Sequence, residues 1–350
     1  MMSDFELALR ELCDESKAIL PHRLAFLSCP SRQETEAFLA ALDSMSLARK
    51  RQVLSSMVEA AEEHFELDFS ALFWGCLDDQ DEEVRRQAVE GLWEDEQPHL
   101  ADRLLVLLAQ DPSVGVRAAA AGALGRFVYL AECEELDARR AAKIRQALEK
   151  VIADPQEDLE VARRAVESIA FVNDDTVRGI IERAYRHPDP RMRESAVFAM
   201  GRNADAVWAE AVLTELYADS AAMRYEAARA SGELQLREAV DRLIELAEGA
   251  DRDVQSAAVW SLGQIGGKQA EAALRRWIRD DDETLSAAAS EALDELEFVT
   301  RPLELFVHDL AEKEEQDEGW DAFGLLDEDE DLTEEDEDDW DEDDLELEDE

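Results

Sequence analysis

A block of about ten residues recurs seven times along the chain, and its spacing restricts the folds open to this sequence. Each copy begins with an apolar residue, often followed by arginine, and often ends in Leu-Gly. The copies begin at Val84, Val116, Val161, Met192, Met223, Val254 and Leu285. The steps between them are 32, 45, 31, 31, 31 and 31 residues. A period of this length predicts stacked structural repeats.

Within each block, the first, fifth, sixth and ninth positions share one stripe at helical spacing and are nearly all apolar. The fifth position is always alanine, at Ala88, Ala120, Ala165, Ala196, Ala227, Ala258 and Ala289. So small a residue at a fixed place predicts a close helix–helix contact. A second apolar helix precedes each block, and acidic or Asp-Pro turns separate the two. We therefore predict an all-α fold, an α-solenoid (superhelix) of about seven helical hairpins.

The ends of the array depart from the repeat. Residues 1–66 predict a helical cap, with helices near 3–20, 32–43 and 46–64, in which the basic cluster Arg49–Arg51 is a solvated helix face. The repeat array covers 67–298. The 45-residue step predicts a longer loop or an extended helix around 128–142. Residues 299–310 are apolar enough to pack back on the last repeat.

The block and its turn, D-P-x-x-x-V-R-x-x-A-x-x-A-L-G, resemble HEAT repeats of the short variety, also called HEAT-like or phycobilisome-lyase-type repeats. The resemblance covers about residues 67–298. It implies that the second helix of each repeat lines a concave surface. It also implies that the arginine after the first apolar residue pairs with turn aspartates of a neighbouring repeat. The positions that match are Arg85, Arg117, Arg193 and Arg224.

Charge restricts the partners that this chain can take. The chain has 87 Asp and Glu against 36 Lys and Arg, a net charge of −51. This balance predicts no nucleic-acid partner and no anionic membrane partner, and it favours a basic protein. No apolar window of transmembrane length and no leader sequence is evident, so we expect a cytoplasmic protein. The four cysteines are widely spaced, which predicts free buried thiols.

Nearly half of the net charge is concentrated in the last forty residues. Residues 311–350 hold 25 Asp or Glu and one basic residue, Lys313. Such a segment cannot bury enough apolar surface to order itself, so we predict a disordered acidic tail. Isolated aromatic residues within it are candidates for a short binding segment: Trp320, Phe323 and Trp340.

No motif for catalysis or metal binding is found. The histidines form none of the His-Glu pairs that hold the di-iron centre of HEAT-like deoxyhypusine hydroxylases, and the sequence lacks HExxH, P-loop, GxSxG and zinc-ligand spacings. We predict a protein that is not an enzyme and uses no cofactor or metal. Phycobilin lyases share the repeat, so attachment of a bilin remains an alternative, and so does adaptation of a purely solubilising acidic tail to salt.

The third, fourth and seventh positions of each block point away from the buried stripe, so the HEAT resemblance places them on the concave surface. The protein-binding candidates among them are Arg86, Arg163, Arg164, Phe198, Tyr225, Arg229 and Trp260. A cluster of aromatic residues and arginine is typical of an interaction hot spot. We predict a protein–protein interaction scaffold or adaptor that uses this surface, the acidic tail, or both. The arginines also suggest that the tail docks on the surface until a partner displaces it.

Overall fold

The computed structural model describes residues 2–300, and every regular element in that range is a helix. Two short helices, α1 (Asp4–Leu12) and α2 (Pro21–Leu24), precede eight consecutive helix pairs. The first helices of the pairs are α3 (Arg32–Ser44), α5 (Ser70–Cys76), α7 (Pro98–Gln110), α9 (Ala138–Ala153), α11 (Asp175–Tyr185), α13 (Ala209–Glu215), α15 (Val240–Ala247) and α17 (Gly267–Trp277). The second helices are α4 (Leu47–Glu63), α6 (Glu82–Gly91), α8 (Val114–Glu132), α10 (Leu159–Ile169), α12 (Pro190–Asn203), α14 (Ala221–Glu233), α16 (Arg252–Ile265) and α18 (Glu283–Thr300).

The second helices form one row, because each packs against the next from α4 to α16. First helices pack against their own partners from the α5–α6 pair to the α15–α16 pair. The predicted α-solenoid of about seven helical hairpins is confirmed, with the row of second helices starting one pair earlier, at α4. The acidic tail and the segment 299–310 were predicted for a part of the chain that lies almost wholly outside the described residues.

The alanine at the fifth position of each block belongs to the buried core. All seven of these alanines are fully buried. The apolar first positions beside them are buried too, from Val84 at 0% exposure to Leu285 at 6%. The sequence pattern therefore identified the buried face of the second helices correctly.

The long step between the second and third blocks is taken up by helix. Helix α8 spans 19 residues and α9 spans 16, with a short connection between them. By length and composition α8 could cross a membrane. It packs, however, against α6, α7, α9 and α10 and buries Leu124, Phe127 and Val128, as a core helix of the repeat array does.

The N-terminal helix is shorter than predicted. Helix α1 ends at Leu12, so the prediction of a helix over 3–20 is wrong beyond that residue. The reason is local, because the Asp14 carboxylate accepts hydrogen bonds from both the backbone N–H and the hydroxyl of Ser16. Such side-chain to backbone bonds favour a turn over a helix. Pro21 then starts α2.

The basic cluster in α4 is not a solvated helix face, which corrects that prediction. Arg49 is buried and donates to the main-chain carbonyl of the last residue of α1. Lys50 binds Asp79 at 2.9 Å, and Arg51 binds Asp81 at 2.7 Å. Both aspartates lie in the turn of the following repeat. The cluster therefore joins the N-terminal helices to the array.

The arginine at the second block position closes the turn of its own repeat. Arg85, Arg117, Arg193 and Arg224 each donate to two backbone carbonyls of the preceding turn. Two of them also reach the next repeat, as the resemblance implies. Arg85 binds Asp111 through two hydrogen bonds of 2.8 Å, and Arg117 binds Glu157 at 2.7 Å. The other two form no such ion pair among the described residues.

The four cysteines are free, but only Cys76 is buried; Cys13, Cys29 and Cys133 are exposed. The prediction of buried thiols is therefore wrong for three of them. Burial raises the pKa of the Cys76 thiol to about 12, which keeps it protonated and unreactive at neutral pH.

Candidate interaction surface

The seven predicted surface residues all lie on second helices. Arg86 is on α6, Arg163 and Arg164 are on α10, Phe198 is on α12, Tyr225 and Arg229 are on α14, and Trp260 is on α16. All of them are half-buried rather than fully exposed. The structure brings three together in one cleft and leaves the other four elsewhere on the row.

The cleft lies between α14, α16 and α18 and has a volume of about 370 Å³. The Arg229 guanidinium lies 4.7 Å from the centroid of the Trp260 ring, at cation–π distance. Tyr225 forms a further part of the wall. The remaining lining residues are small or acidic: Ser256, Ala257, Ala288, Glu291, Ala292 and Glu295. A flat apolar floor beside an aromatic–arginine pair is a surface that can seat a side chain of a partner.

A second aromatic–arginine stack continues the surface toward the N-terminus. The Arg202 guanidinium on α12 lies 4.6 Å from the ring centroid of Phe198 and 4.8 Å from that of Phe171. The Phe171 ring in turn lies 5.3 Å from that of Tyr129 on α8. Burial lowers the pKa of the Arg202 guanidinium, and the nearby Glu233 carboxylate favours its charged form.

These contacts define a surface, the aromatic–arginine row, whose members lie on the second helices except Phe171, which follows α10. Its members are Tyr129, Phe171, Phe198, Arg202, Tyr225, Arg229 and Trp260. Sequence reasoning missed three of these residues, Tyr129, Phe171 and Arg202. Phe171 and Arg202 occupy the eleventh position of their blocks. That position lies one helical turn beyond the seventh and shares its face, so helical phase could have found both.

The three remaining predicted arginines already have carboxylate partners. Arg86 binds Glu83 and Glu90 on its own helix. Arg163 binds Glu160, and Arg164 binds both Glu160 and Glu167. Arginines that are neutralised in this way offer little attraction for an acidic segment. The hypothesis that the acidic tail docks on this surface stays a prediction, because the tail lies outside the described residues.

A half-buried carboxylate lies near Arg229 of the row. One oxygen of Glu226 on α14 is buried and has no hydrogen-bond partner. Burial raises the pKa of Glu226 to about 7, and the Glu167, Glu233 and Glu194 carboxylates add to the rise while Arg229 opposes it. The folded protein therefore binds a proton at this residue more tightly than the unfolded chain does.

This carboxylate makes stability depend on pH. Because the folded-state pKa is raised, unfolding free energy falls as pH rises from about 4.5 to about 7. We expect Glu226→Gln to stabilise the protein by about 2 kcal/mol at pH 8 and hardly at all at pH 4.5. Thermal unfolding at the two pH values measures the difference. Glu210→Gln, at an exposed glutamate of α13, is the control. An equal effect of Glu226→Gln at both pH values would contradict this assignment.

Two further features concern metal ligands and the acidic tail. Within residues 2–300, no group of three or more His, Cys, Asp or Glu side chains is arranged to hold a metal ion. The tail candidates Trp320, Phe323 and Trp340 lie outside the described residues.

The fold and the row of second helices define a helical-repeat protein of the solenoid class. The model of the HEAT-repeat family matches residues 69–148 and 209–294. These two regions of the chain are therefore similar to HEAT repeats. Proteins built from such repeats commonly bind other proteins along the surface formed by successive helices.

Several solved structures are similar to this chain at low sequence identity. The Escherichia coli protein YibA is 15% identical, with 80% of this chain and 98% of YibA covered at a TM-score of 0.44. A chain in the structure of the CpcE–CpcF complex of the Nostoc phycocyanin lyase is 15% identical. The match covers 85% of this chain and 95% of that chain at a TM-score of 0.43. Human deoxyhypusine hydroxylase is 20% identical. The match covers 76% of this chain and 96% of the hydroxylase chain at a TM-score of 0.33. No curated protein sequence matches the chain.

Proposed function

We propose that this protein is a cytoplasmic, non-enzymatic scaffold that binds a partner protein through the aromatic–arginine row. The observation that carries the proposal is the cleft at the C-terminal end of the row, where Tyr225, Arg229 and Trp260 meet. Tryptophan, tyrosine and arginine are the residues most enriched at interaction hot spots. A stack of guanidinium on indole presents a rigid flat surface, so little side-chain entropy is lost when a partner covers it.

The charges around the cleft favour a basic anchor on the partner. Glu291 and Glu295 on α18 are exposed and form no ion pair with any described residue. The Arg229 guanidinium forms an ion pair with the Glu233 carboxylate at 3.8 Å, so it adds little positive charge to the cleft. A lysine or arginine flanked by apolar residues would contact the alanine floor and meet two unneutralised carboxylates. The net charge of −51 would attract such a partner from a distance.

The test uses two aromatic–arginine pairs of similar geometry. The full-length protein is used to enrich partners from host lysate, and each partner's affinity is then measured. Trp260→Ser is expected to lower the affinity for the leading partner at least about tenfold, the loss typical of a hot-spot aromatic residue. The control is Tyr217→Ser, where Arg242 lies 4.5 Å from an exposed ring outside the row. Equal effects of the two substitutions, or none for Trp260→Ser, would contradict the proposal.

A further inference from the structure

A second cleft lies at another place on the array, and it is lined by the most exposed aromatic side chain of the described residues. It lies among the segment that follows α4, helix α5 and the segment that follows α6, and its volume is about 410 Å³. Phe65 is 85% exposed, and Trp93 on the facing segment is 46% exposed. The buried rings of Phe69 and Phe73 also line the cleft. Large exposed aromatic surface of this kind marks an interaction site when its members share one cleft.

The cleft is held in shape by fixed contacts. Phe73 packs so closely on α6 that a Cβ at Gly91 would lie 2.4 Å from its ring. The Asp95 carboxylate accepts hydrogen bonds from the Trp74 indole N–H at 2.7 Å and from the Gln97 backbone N–H at 2.8 Å. These contacts fix the segment that carries Trp93, so the cleft exists before any partner arrives and little ordering cost remains.

Acidic side chains surround the aromatic residues. The carboxylates that line the cleft are Asp68, Glu94, Asp95 and Glu96. Arg126 on α8 donates to the carbonyl oxygens of Leu92 and Asp95 and supplies one positive charge beneath the segment. Glu94 and Glu96 have no ion-pair partner among the described residues and are exposed. The site therefore keeps an excess of negative charge around an apolar centre.

We propose that the Phe65–Trp93 cleft docks a basic segment of a partner protein, with one apolar or aromatic side chain seated between the two rings and flanking lysine or arginine residues on the carboxylates. Charge decides among the possible occupants. The chain's own residues 311–350 carry 25 acidic residues and one lysine, so they would place carboxylate against carboxylate. A second copy of this cleft would do the same. This site lies apart from the aromatic–arginine row and does not rest on the function proposed for it.

The test uses the full-length protein and a defined probe, a short fluorescein-labelled peptide of alternating lysine and leucine. Binding is measured by fluorescence anisotropy at physiological salt, and the bound site by hydrogen exchange. We expect the peptide to protect amides in 61–69 and 91–97, and Phe65→Ser to weaken binding about tenfold. A lysine–glycine peptide is expected to bind more weakly, because it lacks the apolar anchor. Glu94→Gln combined with Glu96→Gln is expected to weaken binding and reduce its salt dependence.

The matched control is Phe298→Ser, since the Phe298 side chain on α18 is 83% exposed, nearly the same exposed fraction as that of Phe65. Its binding is expected to equal that of the wild type. If Phe65→Ser binds the peptide as well as the wild type, the docking site is refuted. Protection confined to other segments of the chain would refute it too, because the peptide would then bind through general charge attraction alone.

Discussion

Gly232→Ala is expected to lower the free energy of unfolding by about 2 kcal/mol, whereas Gly122→Ala is expected to raise it by about 1 kcal/mol. Both glycines lie inside second helices, α14 and α8. A Cβ at Gly232 would lie 2.9 Å from the Cα of Ser261, so the backbone of α16 would have to shift. A Cβ at Gly122 would meet no atom within 4 Å, so alanine there gains helix propensity without a clash.

The two substitutions add the same methyl group, so each serves as the control for the other. Thermal unfolding followed by circular dichroism measures both. We expect the midpoint to fall for Gly232→Ala and to rise for Gly122→Ala. Changes of the same sign would show that the second helices are not packed as closely as the row requires.

Arg85→Ala is expected to destabilise the protein by about 3 kcal/mol at neutral pH. The side chains of Arg85 and Asp111 are only 10% and 5% exposed and share two hydrogen bonds. Removal of the arginine leaves a buried carboxylate without its main partner, which costs more than the pair contributes. Arg32→Ala is the control, because Arg32 and Glu36 form an exposed pair for which an effect below about 1 kcal/mol is expected.

Low pH should reduce the difference in unfolding free energy between the wild type and Arg85→Ala. Burial by itself raises the pKa of Asp111, but hydrogen bonds from Arg85 and the Ser113 backbone outweigh it and hold the pKa below its ordinary value. The stabilisation is therefore complete above about pH 4, the unfolded value, and is lost as pH falls through the lower folded value. Urea unfolding at pH 7 and pH 3 measures it. A gap between wild type and Arg85→Ala that stays the same at both pH values would contradict the assignment.

The repeat could be read from the sequence because its signal is periodic. An alanine that returns at the fifth position of all seven blocks is small for a packing reason, and the structure buries every copy. The partners of individual charges could not be read in this way. The sequence predicts Arg163 and Arg164 as arginines that bind a protein partner, but each binds Glu160 one turn away. An arginine and a glutamate at this helical spacing should be treated as a pair from the start.

The Phe65–Trp93 cleft was missed for a different reason. Its residues lie in the connections between helices, where the block pattern gives no phase, and they come together only after the helices pack. Tyr225, Arg229 and Trp260 could be brought together from sequence because Arg229 and Trp260 occupy the seventh position of neighbouring blocks and Tyr225 lies one helical turn before Arg229. The periodic part of a repeat protein is thus accessible to sequence reasoning, and the aperiodic connections require the structure.

We propose that a partner protein covers the cleft between α14, α16 and α18. The most direct measurement replaces Tyr225 with the photo-crosslinking residue p-benzoylphenylalanine in the full-length protein within host cells. Irradiation is predicted to give a discrete adduct with one protein, identified by mass spectrometry. The same replacement at Val106, which is 41% exposed on the first helix α7, is predicted to give none. Equal adducts at both positions, or none at Tyr225, would contradict the account.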